Sequence, residues 1–224
     1  MVRIFLLHFD TFPRRTDEAI PLLRWRLKKS VPFDVEDTVV SYMLQPAAPS
    51  AGKGVDVLVA VARQSVIRQY EELMEATGLA PGVVLSSTLA TVAFLEDPRP
   101  TLLARLCGRT LTALIVRGES LCVYRCTEMP ADAGTLEPQA LLDEVYPAAA
   151  FFQDTWRENV QQIRLAGFGG RFETFRRAVE AELGAGVTSL SASAALEDRF
   201  SGAAKETVDR HLDALVGWML HRGA

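Results

Sequence analysis

Between Leu102 and His221 the apolar residues switch period in a fixed order, and that order leaves very few sheets open to the chain. Leu102 to Leu106, Leu111 to Val116 and Leu121 to Cys126 are short, nearly continuous apolar runs, and the last two flank Arg117-Gly118-Glu119-Ser120. They read as three strands, the second and third joined as a hairpin. Pro138 to about Trp156 reads as a helix kinked at Pro147, Gln162 to Ala166 as a strand, and Gly167-Phe168-Gly169-Gly170 as a turn. Phe172, Phe175, Val179 and Leu183 stripe a helix that Gly184 ends, Val187 to Leu190 is a strand, and Thr207 to His221 is a last amphipathic helix. Written out, this is βββ-α-β-α-β-α. Strands joined through single helices lie parallel with right-handed crossovers, so the expected sheet is mixed, its first three strands antiparallel and the rest parallel.

That is the element order of a ribonuclease H-like unit. The first half reads β-α-β-β-α-β-α: a strand from Val2 to Phe9, a helix from Thr16 to about Lys29, strands from Thr38 to Leu44 and Val55 to Ala62, a helix capped by Ser65, a short strand from Val83 to Leu85, and a small-residue helix from Ser87 to Leu95. Thr16, Asp17 and Glu18 supply an N-cap and an acidic first turn, although Pro21 argues that the regular part of that helix starts late. Ile20, Leu23 and Leu27 form its inner face, and Val66, Tyr70, Leu73, Met74 and Thr77 form that of the next helix. This resembles the same unit without its opening hairpin and with an insertion. Glu96-Asp97-Pro98-Arg99-Pro100 cannot continue a helix, so residues 1–97 are expected as a first lobe, with a smaller subdomain inserted around 14–80, and 98–224 as a second. The fold class is α/β: mixed sheets flanked by helices, in two lobes, the first incomplete. Val2 to Phe9, lacking hairpin neighbours, is expected at a sheet edge, covered by the C-terminal helix region or by a second copy in a homodimer.

Composition narrows the function. Of 224 residues 49% are hydrophobic and 23% charged, enough for real cores, and 24 Lys plus Arg against 28 Asp plus Glu leave a net charge of −4. A phosphate backbone would meet no overall positive field, so nucleic acid is not expected as a partner. Cys107, Cys122 and Cys126 are too few and odd in number for a disulfide framework, which points to a reducing compartment. Met1 to Asp10 shows no basic leader or cleavage site, so no secretory signal is expected. Thr77 to Leu95 is charge-free over the length of a membrane span, but Gly78, Pro81, Gly82 and scattered Ser and Thr dilute it.

Most chemistry-bearing residues have a plain structural reading. His8, His211 and His221 are far apart in sequence, Cys122-x-x-x-Cys126 lacks zinc-knuckle spacing, and no Ser sits in a G-x-S-x-G elbow. Asp143 with Glu144, and Glu71 with Glu72, are adjacent on helices and diverge by about 100°. No catalytic or metal-ligating residue is assigned. Gly167, Gly169 and Gly170 could offer backbone N–H groups to an anion, and they are equally what a tight turn requires. Asp132-Ala133-Gly134 imitates a phosphate turn but lies in a polar loop. Arg14, Arg15, Arg24, Arg26, Lys28 and Lys29 make the first helix basic within an acidic chain, with Trp25, Phe33 and Tyr42 nearby. Aromatic and Arg residues together are what binding hot spots favour, and such a face also suits anionic headgroups or an acidic tail.

Three segments, in order, carry a family resemblance. Leu22-Leu23-Arg24-Trp25-Arg26-Leu27-Lys28-Lys29-Ser30-Val31-Pro32-Phe33-Asp34-Val35-Glu36-Asp37, followed by Tyr42, resembles the stretch of PilM-like type IV pilus assembly proteins in which a helix reading "RWE" ends at "IPFxxE". Val57 to Gly78, with Ala62-Arg63 before its helix and Glu75-Ala76-Thr77-Gly78-Leu79-Ala80-Pro81 after it, is similar to "ARKEVV…LEAAGLEP". Leu165-Ala166-Gly167-Phe168-Gly169-Gly170-Arg171-Phe172 is similar to "LSGGGARL". The resemblance implies a two-lobed, actin-like cytoplasmic protein whose cleft binds ATP and whose inserted subdomain docks the cytoplasmic tail of an inner-membrane partner, PilN.

Departures from the family pattern decide which function is expected. Members open with a strand carrying an Asp-x-Gly phosphate turn, and this chain starts downstream of it. Where a second acidic turn belongs, the sequence reads Arg105-Leu106-Cys107-Gly108. Mg²⁺ is held through carboxylates, waters and phosphates, and Arg105 could meet a phosphate only as a bare charge. The expectation is a truncated, degenerate member: a non-catalytic scaffold with no cofactor, Gly167, Gly169 and Gly170 as a vestigial nucleotide turn, and Trp25, Phe33 and Tyr42 on the partner-binding side. It would be cytoplasmic and peripheral to the inner membrane through a PilN-like partner. The alternatives are an active ATP-binding ATPase or phosphotransferase of the same fold, and a type II secretion L-type cytoplasmic domain.

Overall fold

The computed structural model describes residues 2–48, 52–95, 97–192 and 201–222, without the side chains of 210, 211, 221 and 222. The chain divides into two compact units, Met1–Ser86 and Ser87–Ala224. The sequence places the boundary instead at the prolines after Glu96. Ser87 and Thr88 belong with the second unit because both accept hydrogen bonds from Arg105.

In the first unit β1 (Val2–Phe9), β2 (Thr38–Pro46) and β3 (Val55–Arg63) form an antiparallel sheet in the order β1-β3-β2, with β1 at an edge. Register sets its inner face. Val57, Val59 and Val61 lie opposite Leu7, Phe5 and Arg3 on one side and opposite Leu44, Tyr42 and Val40 on the other. Against the three valines pack Leu23 and Leu27 of α1 (Thr16–Leu27), four residues apart on one helical face. Arg15 occupies the N-cap without a side-chain capping bond, so Thr16 opens the helix and does not cap it. Pro21 lies within a helix that is continuous from Thr16. Ala19 is the residue buried beside Leu23 and Leu27, while Ile20 is half-buried.

The helix α2 (Gln64–Glu75) leaves β3 directly, with Gln64 ahead of the expected cap Ser65. Its expected inner face is not buried: no residue of α2 is fully enclosed, and Tyr70 and Leu73 are 56% and 64% exposed. Residues 83–85 form no strand; three residues after Pro81-Gly82 are too short to hold a partner, and all three are exposed.

The second unit follows the expected order. The strands β4 (Thr101–Cys107), β5 (Thr110–Arg117), β6 (Ser120–Glu128), β7 (Gln162–Ala166) and β8 (Gly186–Ser189) form one sheet in the order β6-β5-β4-β7-β8. The β4–β5 and β5–β6 pairs are antiparallel, and β4–β7 and β7–β8 are parallel. The expected single helix from Ser87 to Leu95 is a short α3 (Ser87–Ala90) continued by a 3₁₀ turn over Thr91–Phe94. Beyond it come α4 (Pro138–Trp156), containing Pro147, and α5 (Phe172–Leu183). The last helix is in three parts: α6 (Gly202–Thr207), a π-helical turn over Val208–Leu212, and α7 (Asp213–Arg222). Gly217 is buried where α7 crosses α3, and a Cβ there would run into the Ala90 carbonyl oxygen. No helix among the described residues is long and apolar enough to cross a membrane.

Two measurements check this packing. Leu23→Ala removes a fully buried side chain from the first unit and is expected to cost about 2–5 kcal/mol in denaturant unfolding; a cost below about 1 kcal/mol would mean that α1 does not close the sheet. Glu180 on α5 accepts the Val187 backbone N–H at 3.1 Å and the Arg176 guanidinium at 2.6 Å. The Val187 bond chiefly, and Arg176 after it, outweigh desolvation and hold its carboxyl below the usual range. A depressed folded pKa gives stability that is present above the unfolded value of about 4.3 and lost as pH falls through the folded one. Glu180→Gln, which cannot ionise, should therefore lower the melting temperature at neutral pH, and its difference from the unaltered chain should shrink as pH falls below about 4.3.

Candidate functional site

In the second unit a pocket of about 390 Å³ opens between the end of β4, the turn after β7 and the π-helical turn with the start of α7. Its floor is set by a glycine. Gly167 has φ +84°, and a Cβ on it would overlap the Leu106 carbonyl oxygen, so only glycine lets the β7 turn pass this close to β4. Gly169 (φ +51°) and Gly170 face open space and leave the wall bare. The structure thus places all three predicted glycines on one pocket, with Gly167 fixing the backbone.

The charged lining was not legible in the sequence. Arg105 on β4 is buried and makes a bidentate pair with Asp213 at the start of α7, Nε to Oδ2 at 2.5 Å and Nη2 to Oδ1 at 2.8 Å. Its Nη1 reaches Ser87 Oγ at 3.3 Å and Thr88 Oγ1 at 3.4 Å. Burial pushes the guanidinium pKa down, but the Asp213 hydrogen bonds and charge more than offset this, and it ends above its ordinary value. Arg105 is therefore an internally paired cation and not the bare charge expected. Asp209, four residues before Asp213, accepts Ser189 Oγ at 2.6 Å, Ser191 Oγ at 2.7 Å and the Ser191 N–H at 3.1 Å. Glu206 completes the acidic side. The π-helical turn that carries Asp209 is a local irregularity of the kind often found at functional sites.

A nucleotide triphosphate with Mg²⁺ fits this lining poorly. Arg105 is the one cation among the described lining residues, and Asp213 has already neutralised it. Glu206 and Asp209 would repel phosphates, while Asp209 is committed to its serine partners. No group of three or more His, Cys, Asp or Glu side chains among the described residues is arranged to hold a metal ion; of the histidines, the side chains of His211 and His221 lie outside the described residues. Cys107 is exposed and Cys122 is buried, both as free thiols. Asp132 closes its own turn on the Gly134 N–H at 3.0 Å, and Arg171 binds the carbonyls of Ala133, Gly134 and Leu136, so Asp132-Ala133-Gly134 is a tied structural loop.

The three predicted partner-binding residues lie in the first unit and do not form one surface. Phe33 and Tyr42 are half-buried against the Val57-Val59-Val61 core, Phe33 under the Arg63 guanidinium and Tyr42 edge-on to Phe12. Trp25 points away, 72% exposed. The periodicity of Val66, Tyr70, Leu73 and Met74 did reveal an apolar stripe, but periodicity cannot say whether such a stripe is covered.

No family model matches the chain, and no curated protein matches it. Solved structures do. A chain of the PilM-PilN type IV pilus biogenesis complex superposes with a TM-score of 0.74 at 18% identity, over 99% of this chain and 76% of that one. The chain has an actin-like ATPase fold. A Bacteroides thetaiotaomicron protein with actin-like ATPase fold and unknown function agrees, at a TM-score of 0.52 and 11% identity, over 85% of this chain and 66% of that one. This α/β fold is the one shared with the PilM-PilN structure.

The Arg105–Asp213 pair is open to a direct test. Asp213→Asn or Arg105→Leu leaves a buried group without its partner and is expected to cost about 3–5 kcal/mol in denaturant unfolding of the second unit. Arg105→Leu with Asp213→Leu should recover most of that loss, and a double variant no better than the singles would contradict the pairing.

Proposed function

We propose that this chain is a non-catalytic, actin-like scaffold of type IV pilus assembly, working in the cytoplasm and docking the cytoplasmic segment of a PilN-like inner-membrane protein. The observation that carries the proposal is the Arg105–Asp213 pair, which consumes the cation and an acid of the pocket where a nucleotide of this fold would need them. A scaffold requires only the architecture. Gly167, Gly169 and Gly170 then remain as a vestigial turn. The fold shared with the PilM-PilN structure supports the assignment to pilus machinery.

The docking surface is on the first unit, along the uncovered stripe of Tyr70, Leu73 and Met74, with Leu79 after it. Glu71, Glu72 and Glu75 border that stripe, so the segment that fits is apolar with basic residues beside it. Cytoplasmic segments next to a membrane span carry an excess of Lys and Arg, which matches. Tyr42 and Phe33 support the sheet from within, and the open edge of β1 is where a second copy would pair.

Titration of the full chain with the cytoplasmic peptide of its inner-membrane partner is expected to show saturable binding that Leu73→Ser or Tyr70→Ser weakens about tenfold or more. Both residues are exposed, so the variants fold. Binding unchanged in both would rule out this surface, and Mg-dependent ATP hydrolysis by the purified chain would rule out the scaffold reading.

A further inference from the structure

The end of α1 has a chemistry that partner docking does not use. Trp25 is the most exposed large apolar side chain among the described residues, at 72%. Leu23 and Leu27 on either side of it are buried, so the core cannot take the indole without turning the helix over. Around it stand Arg26, Lys28 and Lys29, all exposed and without an ion pair among the described residues. The acids that follow are occupied or turned to other uses: Glu36 pairs with Arg24 at 3.7 Å, and Asp34 accepts the Glu36 N–H at 3.0 Å. Asp37 is the remaining exposed acid of the stretch.

Cations in a last helical turn also suit the helix dipole, which accounts for Arg26 and Lys28 taken alone. It does not account for an indole held out in water between them. We propose that this exposed face of α1 binds the surface of an anionic bilayer directly, with Trp25 entering the headgroup region and Arg26, Lys28 and Lys29 meeting lipid phosphates. Tryptophan is the side chain that suits a layer apolar at one depth and wet at the next. Lysine is a flexible point charge suited to a diffuse negative surface, whereas an acidic peptide would call for a forked guanidinium in a cleft. Arg24 is tied to the Thr38 carbonyl and Glu36, which leaves Arg26 as the one exposed guanidinium beside two lysines. One apolar anchor together with a basic cluster is the pair of signals that gives reversible peripheral attachment. The inference concerns the bilayer itself and holds whether or not the chain docks a pilus partner.

The test is sedimentation of the full chain, with no partner present, on vesicles of phosphatidylcholine alone and of phosphatidylcholine mixed with phosphatidylglycerol. Binding is expected on the mixed vesicles only, to fall as salt is raised, and to drop about 25-fold in Lys28→Ala/Lys29→Ala, about fivefold for each cation removed. Tryptophan emission should shift to the blue on the mixed vesicles, and Trp25→Phe should abolish that shift. Equal binding to both vesicle types, binding to neither, or an unchanged lysine variant would overturn the proposal. Capture by soluble polyglutamate without vesicle binding would also overturn it, and would assign the face to an acidic polypeptide.

Discussion

A buried ion pair is expensive to form, because two charges lose their water, and it persists only where geometry is good and the remaining polar atoms are satisfied. Arg105 and Asp213 meet that condition through two charge-assisted bonds, with Ser87 and Thr88 beside the free end of the guanidinium. The pair fixes three elements at once: β4 in the middle of the sheet, α3, and the start of α7. Four residues further along α7, Gly217 crosses the Ala90 carbonyl at a distance that a Cβ would not allow. The pocket beside the β7 turn inherits its shape and its electrostatics from the same bond.

This accounts for what the sequence revealed and what it concealed. Gln162–Ala166 and Phe172–Leu183 were legible to the residue because a glycine follows each, Gly167 and Gly184, and their periods are clean. The mixed sheet followed from connection lengths alone. Arg105 read as an isolated charge because its partner lies 108 residues away, on a helix whose pattern gave no sign of a π-helical turn. The sequence correctly showed that no acid follows β4. It could not show that acids arrive from the other end of the chain and that Asp213 among them is already neutralised. The stripe on α2 was misread for a related reason: a 3.6-residue period identifies an apolar face, while burial depends on what the rest of the chain brings against it.

In the first unit the same logic separates two surfaces. The valines of β3 and the leucines of α1 make a small core that uses one face of the sheet, and Phe33 and Tyr42 are spent on it. What remains outside is sorted by charge: an apolar stripe edged with glutamates on α2, and an indole among cations on α1. Surfaces of opposite sign on one small unit suit two different partners, a basic peptide and an anionic layer.

The proposed scaffold role rests on the pocket beside the β7 turn taking no Mg-nucleotide while Arg105 and Asp213 are paired across it. Isothermal titration of the purified full chain with ATP, with and without Mg²⁺, tests it most directly. The account predicts no saturable heat that depends on Mg²⁺. Micromolar, Mg-dependent binding by the unaltered chain would contradict it.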